Sequence, residues 1–362
     1  MKILHISPIE KAGGVSNHTL KLTNELRKKN YDAEIFNTSV SENFLIFKDI
    51  FSVFKRTFIL AFFLIFNYKK YDVIHVQSSG PFFGFLTSII TCTLKKIFHY
   101  KLIITYHYSK TEQFLDENRL IFNYIIDICD FFIVVSEKQR LYINIKYKYK
   151  YDNKMEVITN GYDDEFVNKI NKQNISTIIN SDYYKIINIS NLIESKGHKY
   201  LIESIYILKN KYKISKIMCY IVGRGPLYND LSILIKKMDL SENVILTGWL
   251  SLEDMGKLLF ISNLFVLPSL AEGNPTVMFE ALGFGLPFIG TNVGGISEII
   301  TSDKFGFIVE KQNSEELAKA IYKTIETKWS KREIIKYSKK FTWKNIANQT
   351  IEIYKKILKT HA

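Results

Sequence analysis

Short apolar runs alternate with amphipathic stretches along the whole chain, and this alternation constrains the fold more than any other feature of the sequence. Parallel strands need long crossover connections, and helices then cover both faces of the sheet, so the pattern specifies an α/β protein built on parallel sheet. Strands are expected at residues 2–7, 32–36, 73–76, 102–105, 131–135 and 156–158. A second series is expected at 184–189, 217–222, 244–246, 264–267, 287–289 and 306–309. Between the series, residues 168–182 are polar and lack a strong period, as a linker would be. The chain therefore reads as a first domain over 1–167 and a second over 183–342. A helix near 343–358 follows after the second sheet is complete. A length of 362 residues agrees, because it exceeds what one hydrophobic core usually serves.

The clearest helix of the first domain follows Gly13-Gly14, with Val15, Thr19, Leu22 and Leu26 on one face and Lys21, Arg27, Lys28 and Lys29 elsewhere. Composition, at 47% hydrophobic and 23% charged with six prolines, excludes disordered and collagen-like classes. Cys92, Cys129 and Cys219 are scattered without a paired spacing, which suggests neither a zinc site nor a disulfide framework and fits a reducing, cytoplasmic compartment. The opening residues run directly into a strand pattern with no secretion signal.

The net charge of +13 points to an anionic partner without naming it. Nucleic acid is not expected, since no helix-turn-helix, zinc or aromatic-strand motif accompanies the charge. An anionic membrane surface on its inner face is the stronger expectation. In residues 43–71 an aromatic run, Ile59 to Phe66, sits between Lys55-Arg56 and Lys69-Lys70, with Lys48 nearby and Asp49 the single acid. That run is too short to span a bilayer, which takes about 20 apolar residues, so it is either a buried helix or an interfacial one.

The densest group of chemically suggestive residues runs from Pro268 through Glu272, Gly273, Asn274, Pro275, Thr276 and Val277 to Glu280, directly after an expected strand and before a helix. Ligands of open α/β sheets bind at that place. Asn274 suits an N-cap and Pro275 the first helical position, so the free N–H groups of Thr276 and Val277 would meet an anion such as phosphate. Glu280, in the first turns, has a carboxylate able to accept two hydrogen bonds from a vicinal diol. A dehydrogenase is disfavoured, because Ser7 to Gly14 holds no G-x-G-x-x-G after the first strand.

In this context the spacing of Glu272 and Glu280 resembles the Glu-x7-Glu hallmark of the retaining glycosyltransferases of family 4. The likeness continues at Thr247-Gly248, Gly223-Arg224-Gly225, Lys196-Gly197, Asn160-Gly161 and Gly13-Gly14, and at Gly285-Leu286-Pro287 and Gly294-Gly295. It implies a GT-B fold: two Rossmann-like domains with parallel sheets facing a central cleft, and a last helix, within 343–362, crossing back onto the first domain. It implies a nucleotide diphosphate sugar, UDP- or GDP-linked, as donor and no metal or other cofactor. Glu272 would hold sugar hydroxyls and Glu280 the ribose. Lys196 and the helix start near Pro275 would hold the diphosphate, with Gly13, Gly14, Gly223 and Gly273 allowing close backbone approach. His107, in Thr105-Tyr106-His107, matches a family histidine that contacts the transferred sugar.

The chain departs from the family at Ser190-Asn191, where a Gly-Arg pair is usual, so that Asn191 lines the donor site without the expected cation; Arg224 is the candidate substitute. The acceptor is expected to be a glycan or a lipid-linked glycan, in surface polysaccharide or glycolipid synthesis. The alternative is a noncatalytic, donor-binding partner subunit.

Overall fold

The computed structural model describes residues 1–9, 13–39, 52–78, 83–173 and 182–359. All twelve strands expected from sequence are among them, and they form two six-stranded, all-parallel sheets. The first comprises β1 (Lys2–Ser7), β2 (Asp32–Asn37), β3 (Val73–Ser78), β4 (Leu102–Tyr106), β5 (Phe131–Val134) and β6 (Met155–Val157), in the order β2-β1-β3-β4-β5-β6. The second comprises β7 (Tyr184–Ile189), β8 (Ile217–Val222), β9 (Val244–Gly248), β10 (Leu264–Leu267), β11 (Phe288–Thr291) and β12 (Gly306–Val309), in the order β12-β11-β10-β7-β8-β9.

Their burial follows from helices on both faces. Strands such as β3, β4 and β10 are buried at every residue, the near-continuous apolar run that two covered faces demand. The first sheet has one core between it and the helices at 60–67, 83–98 and 119–128, built around Leu60, Leu64, Tyr106 and Phe122. A second core lies on its other face, where Leu22 and Leu26 meet Trp343, Ile346, Ile351 and Tyr354. The second sheet is likewise covered on both sides.

The chain divides into two compact units: residues 1–161 with 343–362, and residues 162–342. The final helix, Trp343–Lys359, belongs with the first unit because its apolar face completes that unit's second core. The boundary differs from the polar-stretch reading. Residues 168–171 are the end of a helix, Asp164–Asn171, whose Val167 and Ile170 are buried in the second unit's core, so polarity at 168 marked the outer face of a helix and not yet a linker. Residues 174–181 of the expected linker lie outside the described residues.

Candidate donor site

In a parallel sheet the loops at the carboxyl ends of neighbouring strands converge where strand order reverses, here between β7 and β10. The loop after β10 is locked to its neighbours by backbone. Leu270 N–H donates to Ser195 O at 2.7 Å, and Gly295 N–H to Gly273 O at 2.8 Å. The Thr291 hydroxyl donates to Ser269 O at 2.5 Å. These contacts bring Lys196, Glu272, Gly273 and the Gly294-Gly295 turn to one spot. Gly294 has φ +55, and a Cβ there would stand 2.3 Å from Glu272 O and 2.6 Å from Gly273 O, so only glycine lets the two loops touch.

At that spot the Lys196 ammonium donates to Glu272 Oε1 at 2.6 Å. The Ser269 hydroxyl donates to the same oxygen at 2.6 Å. Glu272 is only 8% exposed, so its charge needs both partners, whereas Lys196 remains 22% exposed. An ammonium has three donors, and one is committed to Glu272, which leaves two for oxygens of a ligand. The two residues to which the resemblance assigns separate roles are thus joined in one ion pair.

The helix after this loop runs Thr276–Gly283. Its cap differs by one residue from the sequence reading. Pro275 is extended, with ψ 122, and its carbonyl accepts from Met278 N–H at 3.2 Å, so Pro275 is the N-cap and Thr276 the first helical residue. A proline N-cap has no side-chain oxygen, and Asn274, buried, precedes it. Helix geometry still leaves the N–H groups of Thr276 and Val277 without an intrahelical carbonyl. Glu280 lies half-buried at the second turn of the same helix.

On the other side of β7, Gly223 has φ +152, and its Cβ would stand 1.9 Å from Ser190 O, which holds the loop after β8 against Ser190-Asn191. Ser190 sits where a glycine is usual, and its hydroxyl bridges Asn188 Oδ1 at 3.1 Å and His198 Nε2 at 2.8 Å. Burial, with the Lys196 charge nearby, pulls the His198 pKa down to about 4, so His198 is neutral. Asn191 is exposed. The Arg224 guanidinium lies over the Trp249 ring at 5.3 Å to the centroid, a cation–π contact. Trp249, 61% exposed directly after β9, was missed in the sequence reading; a large aromatic placed on a strand-end Thr-Gly was the available signal.

In the first unit the structure joins His107 to residues that sequence could not group. His107 Nε2–H donates to Gln77 Oε1 at 2.8 Å. Gln77 Nε2 lies 3.3 Å from His75 Nε2, and His75 Nδ1 lies 2.7 Å from the Tyr354 hydroxyl. Tyr354 in turn lies 3.1 Å from His5 Nε2, whose Nδ1 is 2.6 Å from the Thr23 hydroxyl. One direction of donation, from His107 through Gln77, His75, Tyr354 and His5 to Thr23, gives both ring nitrogens of His75 and His5 a partner with a neutral imidazole at each histidine, and the Thr105 hydroxyl lies 2.7 Å from the same His75 Nε2. Burial drives the same result: His5 is pulled down to about 3, and His75 and His107 well below the ordinary histidine value. His18 stacks edge-on against His107 at 4.6 Å and donates to Asn160 Oδ1 at 2.8 Å; burial lowers it to about 4. Gly13 is extended at φ −172, and a Cβ on Gly14 would meet nothing within 4 Å, so packing within this unit does not itself require glycine there.

The two six-stranded parallel sheets, each covered by helices, have the GT-B fold. The chain belongs to glycosyltransferase family 4: residues 12–166 match the family described as Glycosyltransferase Family 4, and residues 169–341 that described as Glycosyl transferases group 1. It is 33% identical over 176 residues to an uncharacterized glycosyltransferase of Methanocaldococcus jannaschii, a match covering 48% of this chain and less than half, 42%, of that protein. It is 28% identical over 277 residues to the UDP-Gal:alpha-D-GlcNAc-diphosphoundecaprenol alpha-1,3-galactosyltransferase of Escherichia coli, covering 72% of this chain and 68% of that one. In structure it resembles the Anabaena protein HepE in complex with UDP, with a TM-score of 0.75, 18% identity, and coverage of 98% of this chain and all of that one.

Proposed function

We propose that the chain is a retaining, metal-independent glycosyltransferase that takes a sugar from a nucleotide diphosphate donor, uridine- or guanosine-linked, and places it on a glycan or lipid-linked acceptor in surface polysaccharide or glycolipid synthesis. The Lys196–Glu272 pair beside the start of the Thr276 helix carries this reading. In the proposed reaction the bond from the sugar's anomeric carbon to the diphosphate oxygen breaks. A bond from an acceptor hydroxyl oxygen forms on the same face, and the acceptor proton passes to the departing phosphate. Lys196 and the N–H groups of Thr276 and Val277 stabilise the charge that develops on the diphosphate. Glu272 holds sugar hydroxyls and Glu280 the ribose diol, with Gly223 and Gly273 admitting the donor to the backbone. His107, neutral and oriented by Gln77, is assigned to the transferred sugar's hydroxyls. The E. coli relative, a galactosyltransferase named for a diphosphoundecaprenol-linked sugar, supports the lipid-linked acceptor class, and with it a cytoplasmic protein that works against a membrane surface. Among the described residues no helix is long and apolar enough to cross a membrane.

The test is release of nucleotide diphosphate by the purified protein across a panel of nucleotide sugars, with a lipid extract as acceptor, in buffer with excess chelator. Turnover with chelator present is expected. Loss of turnover restored by magnesium or manganese overturns metal independence. Donor binding without release under any condition points to the noncatalytic, donor-binding subunit suggested by Asn191 in place of the family arginine.

A further inference from the structure

Phe54, Phe58, Phe62 and Phe66 recur every fourth residue along the helical residues 52–67, and they point outward. Phe58, Phe62 and Phe66 are each 67% exposed and Phe54 47%. The rings pair along the stripe, Phe54 with Phe58 at 5.3 Å and Phe62 with Phe66 at 4.6 Å. The opposite face is also apolar: Leu60 and Leu64 are fully buried in the first unit's core. A helix on a water-facing surface normally turns polar residues outward. At about 200 Å² for a whole phenylalanine, these four expose roughly 500 Å², the size of patch that marks an interaction surface.

Within the two stretches of chain that carry the patch the charge is of one sign, and Glu34 of β2 is an acid that lies near Lys70. Residues 52–70 and 83–101 together hold seven lysines and arginines and no aspartate or glutamate. The Tyr68 ring packs against Phe98 at 4.8 Å, which brings the ends of the two helices together; Lys69 and Lys70 at the end of the first are exposed, as is Lys96 near the end of the second, its ammonium over the Tyr124 ring. Ile97, 63% exposed, extends the apolar surface beside them. A second copy of this face would oppose cation to cation in a chain of net charge +13. An anionic bilayer complements both the apolar stripe and its basic rim.

The two cations that the sequence displays most plainly do not belong to that rim. Arg56 is 7% exposed and donates to Ser52 Oγ at 3.2 Å. The Lys55 ammonium donates to the Ser39 carbonyl and is partly desolvated, which lowers its pKa. Docking therefore rests on aromatic insertion more than on charge.

We propose that residues 54–66 form a membrane-docking face whose phenylalanines enter the headgroup–acyl boundary of an anionic bilayer, with Lys69, Lys70 and Lys96 at its rim. The proposal builds on the lipid-linked acceptor reading by naming the surface that would bring the enzyme to such an acceptor.

The experiment is sedimentation of the full chain with vesicles of phosphatidylglycerol mixed with phosphatidylcholine, and of phosphatidylcholine alone. The wild type is expected to bind the anionic vesicles. Phe58→Ser, Phe62→Ser and Phe66→Ser combined should weaken partitioning about 100-fold, with melting and calorimetric UDP or GDP binding unchanged. Lys69→Glu with Lys70→Glu should cost about 10-fold, and high salt a comparable amount. Binding by the triple phenylalanine variant equal to wild type overturns the proposal. So does wild-type binding to neither vesicle, or a wild-type dimer in light scattering that the triple variant converts to monomer. Anionic vesicle binding lost in the triple variant, with sugar transfer only to soluble glycans, would overturn the lipid-linked acceptor and leave the docking face standing.

Discussion

Lys196 and Glu272 hold each other, so removing one charge strands the other. With Glu272 buried and Lys196 partly exposed, the pair falls between exposed pairs worth about 0–1 kcal/mol and buried ones whose disruption costs 3–5 kcal/mol. Lys196→Met should therefore lower stability by about 2 kcal/mol, and adding Glu272→Gln should recover most of that loss while nucleotide diphosphate release stays abolished. Recovery of turnover in the double variant would remove both residues from the chemistry. The buried histidines make a pH prediction. His18 and His5 have native pKa values lowered to about 4 and about 3, below the unfolded value of about 6.5. Between those limits the unfolded chain binds protons that the native chain does not, so stability is full above about pH 6.5 and is lost as pH falls. Denaturant melts from pH 7 to 4.5 should show stability dropping with uptake of more than one proton on unfolding; a flat profile would place these imidazoles in contact with water.

Among elements, the strand-end loops and the helices they enter respond differently to the same substitution. Gly294→Ala forces a Cβ into the carbonyls of Glu272 and Gly273 at a left-handed backbone position, and the loop carrying Glu272 must move. A loss of about 2–4 kcal/mol, with weaker donor binding, is expected. Gly14→Ala, at the open first turn of the Gly14–Lys28 helix, should leave the melting temperature unchanged or slightly raised, since alanine suits a helix better by up to about 1 kcal/mol. A fall in turnover at unchanged stability in Gly14→Ala would show that the donor, and not the fold, needs glycine there; unchanged turnover would leave that glycine without a role.

For the whole molecule, each unit carries its own sheet and cores, but only the second is contiguous in sequence. The first needs Trp343, Ile346, Ile351 and Tyr354 from the far end of the chain to cover one face of its sheet. A fragment of residues 162–342 should melt cooperatively by itself. A chain ending at residue 342 should keep that transition and lose cooperative melting of the first unit. Two unaltered transitions in the truncated chain would mean that the final helix is dispensable.

The sequence alone determined every strand, because parallel strands covered on both faces leave unbroken apolar runs whose meaning depends only on nearby residues. It also placed the Glu272–Glu280 segment between a strand and a helix start, written in local asparagine-proline spacing, whereas Lys196 and the pairing of Glu272 with Glu280 were singled out only by resemblance to the family. What it could not reach depends on contacts far apart in the chain. His107 connects through Gln77 and His75 to Tyr354, and the bond from His75 to Tyr354 spans 279 positions. The helix at 164–171 joined the second unit because Val167 and Ile170 found a core there, although its polar face reads as linker. In the aromatic segment, sequence showed cations flanking phenylalanines, but only packing decided that Arg56 turns inward and Phe58, Phe62 and Phe66 turn outward. Which side of a helix faces the core is settled by the partners that side meets, and those partners are brought near only by the fold.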